Sequence, residues 1–303
     1  MVKKILCLIL VTLLAHSSVQ AGSSCDSKGV WLQVLGSGGP ELNDQRASSG
    51  YLVWLDGKAR LLVDMGAGSL LRFEQSGAGL TDLDVILISH FHVDHTNDLP
   101  ALIKASFFSA RKRDLPLYGP TGNELMPSAT QFVQAMFGQK GAFRYLNSYL
   151  DGSEDFRLLA HDVDARVKNI QQLKAGLPYT IHAVAVHHGP IPALAWRVDV
   201  AGKAIVFSGD MNNDFNTLAR LAKNADIFVA HHAVAEAASG AARNLHMPPS
   251  VIGQVAAQAG VKQLVLSHRM NRTLGQEKVS GAFIRRSYSG PLYFADDLSC
   301  FRP

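Results

Sequence analysis

The sequence predicts an α/β protein in which two β-sheets are packed between layers of helices. Short apolar runs separated by turn residues predict strands in the first part of the chain, and strand-like and helix-like segments alternate in the last part. Hydrophobic residues make up 47% of the 303 residues and charged residues 18%, which is enough apolar surface to bury a large core. Since no linker, repeat or low-complexity segment follows residue 21, we expect one large domain.

The first part of the chain is predicted to be rich in strands. Residues 29–35 form a strand that ends in a glycine-rich turn. Strands over 51–55 and 60–63 are joined through Asp56-Gly57, a dipeptide typical of a hairpin turn. The continuous apolar run 85–89 is typical of a strand that is buried on both faces.

Helices become more frequent after residue 120. Pro127-Ser128 precedes a helix that extends to Phe137 and ends at Gly138. The further predicted elements are strands over 179–186, 193–200, 203–207, 226–230 and 263–267, and helices over 215–222 and 250–259, the last one capped by Gly260.

The first 21 residues have the features of a secretory signal peptide. Two lysines precede the apolar run 5–15, and Val19-Gln20-Ala21 places small residues at a cleavage site. The apolar run is shorter than the roughly 20 residues that a membrane span needs, so no stable membrane insertion is expected after cleavage. We therefore predict a signal peptide over 1–21, one domain over 22–303, and a periplasmic or secreted protein.

The cysteines agree with export. Cys7 lies in the predicted signal peptide, so the mature chain keeps Cys25 and Cys300. In an oxidising compartment we expect a disulfide between these two, with a pair of free thiols as the alternative. Loss of the two lysines of the signal peptide lowers the formal net charge from +4 to +2. So small a charge gives little general attraction for nucleic acid, and no nucleic-acid partner is expected.

The residues that carry chemistry follow predicted strands directly. His90, His92, Asp94 and His95 stand at the end of the strand 85–89. Imidazole nitrogen and carboxylate oxygen are ligands that zinc and related ions accept. Strand alternation places His90 and His92 on one side, and the following turn brings Asp94 and His95 around, so one loop can supply two adjacent ions. The alternative, four polar residues with a purely structural role, rarely has this spacing.

Three further places repeat this arrangement, at His187-His188, Asp210 and His268. Each alone is weak, because a histidine at a strand end is often only hydrogen-bonded and an aspartate there is an ordinary turn residue. His187 and His188 point to opposite faces of their strand, so one of them is expected to reach a metal. Together these residues are predicted to lie at the same end of neighbouring strands, where α/β proteins place their sites.

The run His90-x-His92-x-Asp94-His95, with the later His, Asp and His, resembles the metallo-β-lactamase superfamily over essentially all of 22–303. The resemblance implies a four-layer αββα sandwich with two divalent metal ions, usually zinc. His188 is preferred to His187 because the residues that follow it are similar to those of family members. The ligands that the resemblance implies are His90, His92 and His188 for one ion, Asp94, His95 and His268 for the other, and Asp210 as a bridge between them.

Within the superfamily, the chain is most similar to the branch that includes ribonuclease Z and an arylsulfatase group. Residues 36–40, 62–66 and 117–122 carry that similarity. Asp64 is expected to orient metal-bearing loops rather than to bind metal. His246 stands where ribonuclease Z has a second catalytic histidine, which implies a proton-donor role. The alternative for His246 is an exposed residue that precedes a helix.

Two departures from ribonuclease Z lead us to expect that tRNA is not the substrate. His231-His232 replaces the His-Glu pair of that enzyme, and a short hairpin at 199–203 occupies the place of its tRNA-gripping arm. Export would also separate the protein from tRNA. A zinc β-lactamase is not expected either, because those enzymes do not use an aspartate at the position of Asp210.

These inferences predict an exported hydrolase of a small-molecule ester, either a sulfate or a phosphate ester, with aryl sulfates as the first choice. Two adjacent cations lower the pKa of a shared water, and Asp94 is a candidate to orient that water. Phe91, Phe107, Phe108 and Trp196 are candidates for the pocket wall or, equally, for the core. The alternatives are a lactone or carboxylic ester hydrolase and a catalytically silent metal-binding protein of the envelope. The oligomeric state is left open, with a homodimer among the alternatives.

Overall fold

Alternating side chains along the strands divide the apolar residues between separate cores. In the strand Lys58–Met65, Leu61 and Val63 face a core between two sheets, whereas Leu62 faces a second core beneath a layer of helices. A third core lies between the other sheet and its own helices. The protein is therefore a four-layer αββα sandwich, as the sequence predicts.

The structure is a computed structural model that describes Cys25 and residues 27–303, and the strands of this part of the chain form two seven-stranded sheets. The strands of the first sheet are β1 (Val30–Gly36), β2 (Gly50–Leu55), β3 (Lys58–Met65), β4 (Val85–Leu87), β5 (Leu115–Pro120), β6 (Leu158–Val163) and β14 (Cys300–Phe301). Their order is β14-β1-β2-β3-β4-β5-β6. The strands of the second sheet are β7 (Gln171–Gln172), β8 (Thr180–His188), β9 (Ile191–Val200), β10 (Lys203–Phe207), β11 (Ile227–His231), β12 (Gln263–Ser267) and β13 (Leu292–Phe294). Their order is β13-β12-β11-β10-β9-β8-β7.

Helices cover the outer face of each sheet. The helices that lie before β7 in the chain are α1 (Ser69–Gln75), α2 (Val93–Thr96), α3 (Leu99–Ser106), α4 (Ala129–Phe137) and α5 (Ser148–Asp151). The helices that follow β10 are α6 (Leu218–Leu221), α7 (Gly240–Leu245), α8 (Pro249–Ala259) and α9 (Glu277–Ile284). Within the described residues, no helix has the length and apolar character needed to cross a membrane.

The strand directions bring distant parts of the chain to one edge of the sandwich. Strands β3, β4 and β5 are parallel neighbours, as are β10, β11 and β12. Because β9 is antiparallel to both β8 and β10, β8 runs in the same direction as β10. The carboxyl ends of these parallel strands therefore lie at a common edge of each sheet, which is where parallel sheets place their functional loops.

Most of the predicted elements are present, and two of them are shorter than predicted. The strand predicted over 85–89 ends at Leu87, because the backbone N–H of Ser89 donates to the side chain of Asp64 instead of to a neighbouring strand. The helix predicted over 215–222 is reduced to α6, which begins only at Leu218. Asn216, just before it, has a left-handed backbone that a helix cannot contain.

The two ends of the described chain are joined covalently. A disulfide links Cys25 to Cys300, 275 residues apart, as the cysteine count predicts. Cys300 lies in β14, which pairs with β1 at the edge of the first sheet. The predicted signal peptide over 1–21 lies outside the described residues, so it stays a prediction, and so does the periplasmic or secreted location.

Candidate metal centre

Loops from both sheets bring histidines and aspartates together at the common edge. His90 and His92 follow β4, and Asp94 and His95 lie in α2 immediately after them. His188 is the last residue of β8, Asp210 follows β10, and His268 follows β12. These seven residues are the predicted ligands, and the structure places all of them in one cluster.

The first group of the cluster consists of His90, His92, His188 and Asp210, each of which contributes one atom within 4.8 Å of all the others. His90 Nε2 lies 3.0 Å from His92 Nδ1, and His188 Nε2 lies 3.4 Å from the same atom. Asp210 Oδ2 is 3.9 Å from His90 Nε2 and 3.8 Å from His188 Nε2. Three imidazole nitrogens and one carboxylate oxygen thus converge on one point.

A second group lies on the other side of Asp210. His95 Nε2 is 3.6 Å from Oδ2 of both Asp94 and Asp210. His268 Nε2 is 3.1 Å from Asp94 Oδ2 and 3.4 Å from Asp210 Oδ1. Asp210 therefore lies between the two groups: its Oδ2 faces His90, His188 and His95, and its Oδ1 faces His268, a position suited to a bridging carboxylate.

His231, a residue that the sequence analysis did not include in the site, also reaches Asp210. Its Nδ1 lies 2.7 Å from Asp210 Oδ1, and its Nε2 lies 3.0 Å from the hydroxyl of Tyr51. His231 also offers one atom within 4.8 Å of donor atoms of His95, Asp210 and His268, but because both of its ring nitrogens are already paired, it is suited to orient Asp210. The signal that could have found it was present, because His231 directly follows a predicted strand, as His188 and His268 do.

Buried partners outside the cluster fix the orientation of the imidazoles. Asp64 accepts hydrogen bonds from the backbone N–H and the hydroxyl of Ser89, and its Oδ2 lies 2.8 Å from His95 Nδ1. The Nδ1 of His188 lies 2.9 Å from the backbone oxygen of Leu245. Such partners hold a ring so that its other nitrogen points at a metal. Asp64 is thus placed as an orienting residue, as expected.

The protonation states of His90 and Asp210 leave their donor atoms available, whereas the facing carboxylates of Asp94, Asp64 and Asp210 raise the pKa values of His95 and His268 despite burial. Burial lowers the pKa of His90 well below its usual value, and the neighbouring imidazoles of His95 and His188 lower it further. Burial alone would raise the pKa of Asp210, but His268 and His246 hold it well below its usual range. A neutral imidazole and an ionised carboxylate are the forms that bind metal ions.

The surroundings of His95 Nε2 indicate whether a cation fits in the cluster. His95 Nε2 is buried and has no hydrogen-bond partner among the described residues, although two carboxylate oxygens lie 3.6 Å away. That separation is too long for a hydrogen bond, whereas a cation between these atoms would contact all three. Because the donors are imidazole nitrogens and carboxylate oxygens, the cluster is suited to divalent metal ions.

A cavity of about 310 Å³ opens beside the cluster and is lined by His92, His188, Asp210 and His268. His246 lines it too, with its Nδ1 3.8 Å from Asp210 Oδ1. Burial lowers the pKa of His246 to about 3, so its ring is neutral at pH 7 in the free protein. A proton-donor role therefore requires a nearby negative charge, such as a substrate anion, to raise that pKa.

Other predicted residues lie elsewhere. His187 points away from the cluster, with its Nδ1 3.8 Å from Asp214 Oδ2, so His188 is the histidine of this pair that joins the site. The prediction of an aromatic pocket wall is wrong. Phe91, in the loop after β4, and Trp196, in β9, turn inward and are buried in hydrophobic cores. Phe107 and Phe108 are exposed beyond the end of α3 and do not line the site cavity.

The fold and the site together define a metal-dependent hydrolase. Residues 59–269, more than half of the chain, match the sequence profile of the beta-lactamase superfamily domain. The chain therefore belongs to the beta-lactamase superfamily.

Known proteins with similar sequences and structures agree with this assignment. The ribonuclease Z of Methanosarcina mazei is 25% identical over 266 residues, which cover 78% of this chain and 87% of that protein. The metallo-beta-lactamase fold protein YhfI from Bacillus subtilis superimposes with a TM-score of 0.71 at 22% identity and covers 91% of this chain and 100% of YhfI. The short form of human tRNase Z superimposes with a TM-score of 0.67 at 20% identity and covers 90% of this chain and 98% of the human protein.

These comparisons correct the predicted substrate and partners. Relatives that match along most of their length are named ribonuclease Z. The expected hydrolysis of a small-molecule ester, with aryl sulfates first, is therefore wrong, and so is the exclusion of nucleic acid. The metal ligands determine how a phosphate or sulfate ester is attacked, but they do not determine which leaving group the substrate carries. The net charge of the whole chain, in turn, does not describe the local field at one cavity.

Proposed function

We propose that this protein is a metal-dependent phosphodiesterase that hydrolyses phosphodiester bonds of RNA with two divalent cations, zinc being the expected metal. One observation carries the proposal: two groups of imidazole and carboxylate donors share Asp210 at the mouth of a single cavity. The relatives named ribonuclease Z support RNA as the substrate class. Zinc is supported by the donor set, which contains five imidazoles and two carboxylates among the proposed ligands His90, His92, Asp94, His95, His188, Asp210 and His268.

The proposed ligands divide into two sets. His90, His92 and His188 would hold one cation, and Asp94, His95 and His268 the other, with Asp210 between the two sets. When bound, the cations supply a water acidified at neutral pH and neutralise charge that develops on the phosphoryl oxygens.

The residues around the cations provide orientation and charge. The paired ring nitrogens of His231 keep Asp210 in place. Arg272 lines the cavity, and its Nε donates to the backbone oxygen of Ala233 at 2.6 Å, which fixes a guanidinium at the rim. A fixed guanidinium suits the anionic phosphodiester. His246 is placed to hold a proton at Nδ1 for the leaving oxygen once the substrate anion raises its pKa.

The test combines metal analysis with a set of matched substrates. We expect the purified protein to bind about two equivalents of zinc and, when loaded, to cleave both bis(4-nitrophenyl) phosphate and a short oligoribonucleotide. The aryl sulfate 4-nitrophenyl sulfate should remain intact. The proposal fails if the loaded protein cleaves neither phosphodiester, or if it cleaves the sulfate faster.

Replacing the shared carboxylate connects the activity to the site. Asp210→Asn should lower phosphodiester turnover by more than about 100-fold, because an amide is a poor ligand for either cation. Asp155→Asn, an exposed aspartate paired with Lys112, is the matched control and should leave turnover unchanged. Equal activity of the two variants would contradict the proposed site.

A further inference from the structure

A second cavity, of about 210 Å³, lies beside the metal centre on the other face of β8. Its lining includes His187, Gly189 and Pro190, whereas His188, the next residue after His187, lines the site cavity. The two cavities therefore open on either side of the end of β8, and the turn at Gly189 and Pro190 that follows it lines the second cavity. A volume of this size is below the roughly 300–1,000 Å³ of drug-sized ligand pockets and suits a single planar ring system.

The wall of this second cavity is held in place. Asn123, another lining residue, donates from Nδ2 to the backbone oxygen of Pro190 at 2.8 Å. The backbone oxygen of His187 accepts from the N–H of Asn212 at 2.9 Å. Gly189 has a left-handed backbone with φ +57°, and a Cβ added there would lie 2.8 Å from the side chain of Leu245. The second cavity therefore keeps a defined position relative to the metal centre.

The chemistry of the lining suits a nucleobase. Phe215 lines the second cavity, and the ring of His187 contacts it edge to face, with the ring centroids 5.2 Å apart. His187 Nδ1 is buried and has no hydrogen-bond partner among the described residues, since Asp214 Oδ2 at 3.8 Å is too distant. A base could stack on the phenyl ring and satisfy that nitrogen with a polar atom of its edge.

Two basic side chains lie at the mouth of the second cavity. The ammonium of Lys168 lies 3.9 Å from the centroid of the Phe215 ring, and Arg166 lines the cavity with an exposed side chain whose guanidinium donates to Asp164 at 2.9 Å. The guanidinium of Arg220 donates to the backbone oxygen of Lys168 and so fixes its loop. Because the side chain of Lys168 is exposed, it can leave the ring face and meet a phosphate. An aromatic ring with flanking cations is the combination that binds single-stranded nucleic acid.

We propose that this second cavity binds the base of the nucleotide next to the scissile phosphate, with Phe215 as the stacking surface and Lys168 as the contact of the neighbouring backbone phosphate. The inference rests on the proposed phosphodiesterase function, because the metal centre on the other side of the end of β8 would hold the phosphate to be cleaved. It assigns substrate selection to the second cavity, separately from the chemistry of the metal centre.

Phe215→Leu tests the stacking surface in the full-length, zinc-loaded protein. The leucine keeps an apolar side chain but removes the aromatic face, so the KM for an oligoribonucleotide should rise at least about 5-fold. For bis(4-nitrophenyl) phosphate, whose aryl rings lack the polar edge of a base and the neighbouring phosphate of a nucleotide, the rise in KM should be smaller. Phe215→Tyr keeps a stacking ring and should restore the KM of the original protein.

A binding measurement separates this inference from the proposed function. Fluorescence anisotropy of the labelled oligoribonucleotide should show at least about 5-fold weaker binding to Phe215→Leu than to the unchanged protein, whether or not cleavage occurs. If the protein binds the oligoribonucleotide but cleaves no phosphodiester, the proposed function is wrong. The comparison of binding between the two proteins then still tests the base site. Equal binding by the two proteins, no binding by either, or an equal loss with bis(4-nitrophenyl) phosphate would overturn the base site.

Discussion

Asp64 shows how one side chain connects the core to the metal centre. It is buried at the end of β3, and its two oxygens bind the N–H and hydroxyl of Ser89 and face His95 Nδ1. Its backbone has a φ of 54°, in the left-handed region that asparagine and aspartate tolerate better than other non-glycine residues. The charge of Asp64 can therefore be removed by asparagine without adding backbone strain.

Asp64→Asn is expected to weaken zinc binding by about 10- to 100-fold, because an amide orients the His95 ring less strongly than a carboxylate does. Competition with a chromogenic chelator measures the affinity directly. Asp82→Asn, a surface substitution beside Lys58, is the control and should bind zinc as the original protein does. Unchanged affinity in Asp64→Asn would mean that His95 does not depend on this carboxylate.

At the scale of elements, the sequence located those strands and helices whose local signals are strong. Strands β10 and β12 begin and end at the predicted residues, since apolar runs bounded by turn residues define them. Helix α4 is predicted from Ser128 and Gly138, and its Ser128 forms a capping box with Gln131. Local sequence therefore suffices where an element's ends are marked by its own residues.

Elements and site residues that depend on distant partners were predicted less well. His231 carried the same strand-end signal as the ligands, but its contact with Asp210 depends on β11 lying beside β10, which the local sequence does not reveal. Phe91 and Trp196 were offered as pocket wall because an aromatic residue has the same sequence signal in a core as in a cavity. The metal cluster was predictable because its residues lie at or shortly after strand ends and carry a specific motif in 90–95. The leaving group was not predictable, because none of the predicted ligands contacts it.

The end of β11 also places an imidazole where protonation is costly. His232 follows β11 directly and is fully buried, and neither of its ring nitrogens has a hydrogen-bond partner among the described residues. Burial, followed by the nearby charge of Arg269, lowers its pKa from 6.5 to about 4. The unfolded chain therefore binds a proton at higher pH than the folded chain does, so this contribution to stability is present above pH 6.5 and is lost as the pH falls toward 4.

His232→Leu should make the metal-free protein less sensitive to acid. Between pH 7.5 and pH 5, the free energy of unfolding of the original protein should fall by about 2 kcal/mol more than that of the variant. Urea unfolding at the two pH values, with chelator present, measures the difference without any effect of metal release. Parallel losses in the two proteins would show that His232 does not titrate in this way.

At the scale of the whole molecule, the metal centre joins the two sheets. The loop after β4 belongs to the first sheet, whereas His188, Asp210 and His268 follow strands of the second. Cations held between them would bind only the folded chain and stabilise it by mass action. The metal centre and the contact between the two sheets therefore depend on the same residues.

The C-terminal segment supports this edge from the side of the first sheet. Asp297 accepts hydrogen bonds from the backbone N–H and hydroxyl of Ser37, from the N–H of Ala47 and from Arg72. The turn that follows Ser37 reaches His268, because a Cβ added at Gly39 would lie 2.9 Å from that ring. These bonds hold the turn beneath the metal centre, and they are independent of the disulfide at Cys300.

Because the hydrogen bonds of Asp297 do not depend on the disulfide, we expect the disulfide to affect stability rather than metal binding. The bond between Cys25 and Cys300 closes almost the whole chain into a loop, which restricts the unfolded ensemble far more than the folded one. The double variant Cys25→Ser, Cys300→Ser should therefore lose about 2–5 kcal/mol of unfolding free energy in urea. Its zinc affinity at 25 °C should remain that of the original protein, because Asp297 still holds the turn at Ser37. An unchanged unfolding free energy would refute the loop-closure argument, and a matching loss of zinc affinity would show that the disulfide, and not Asp297, maintains the edge on which the metal centre stands.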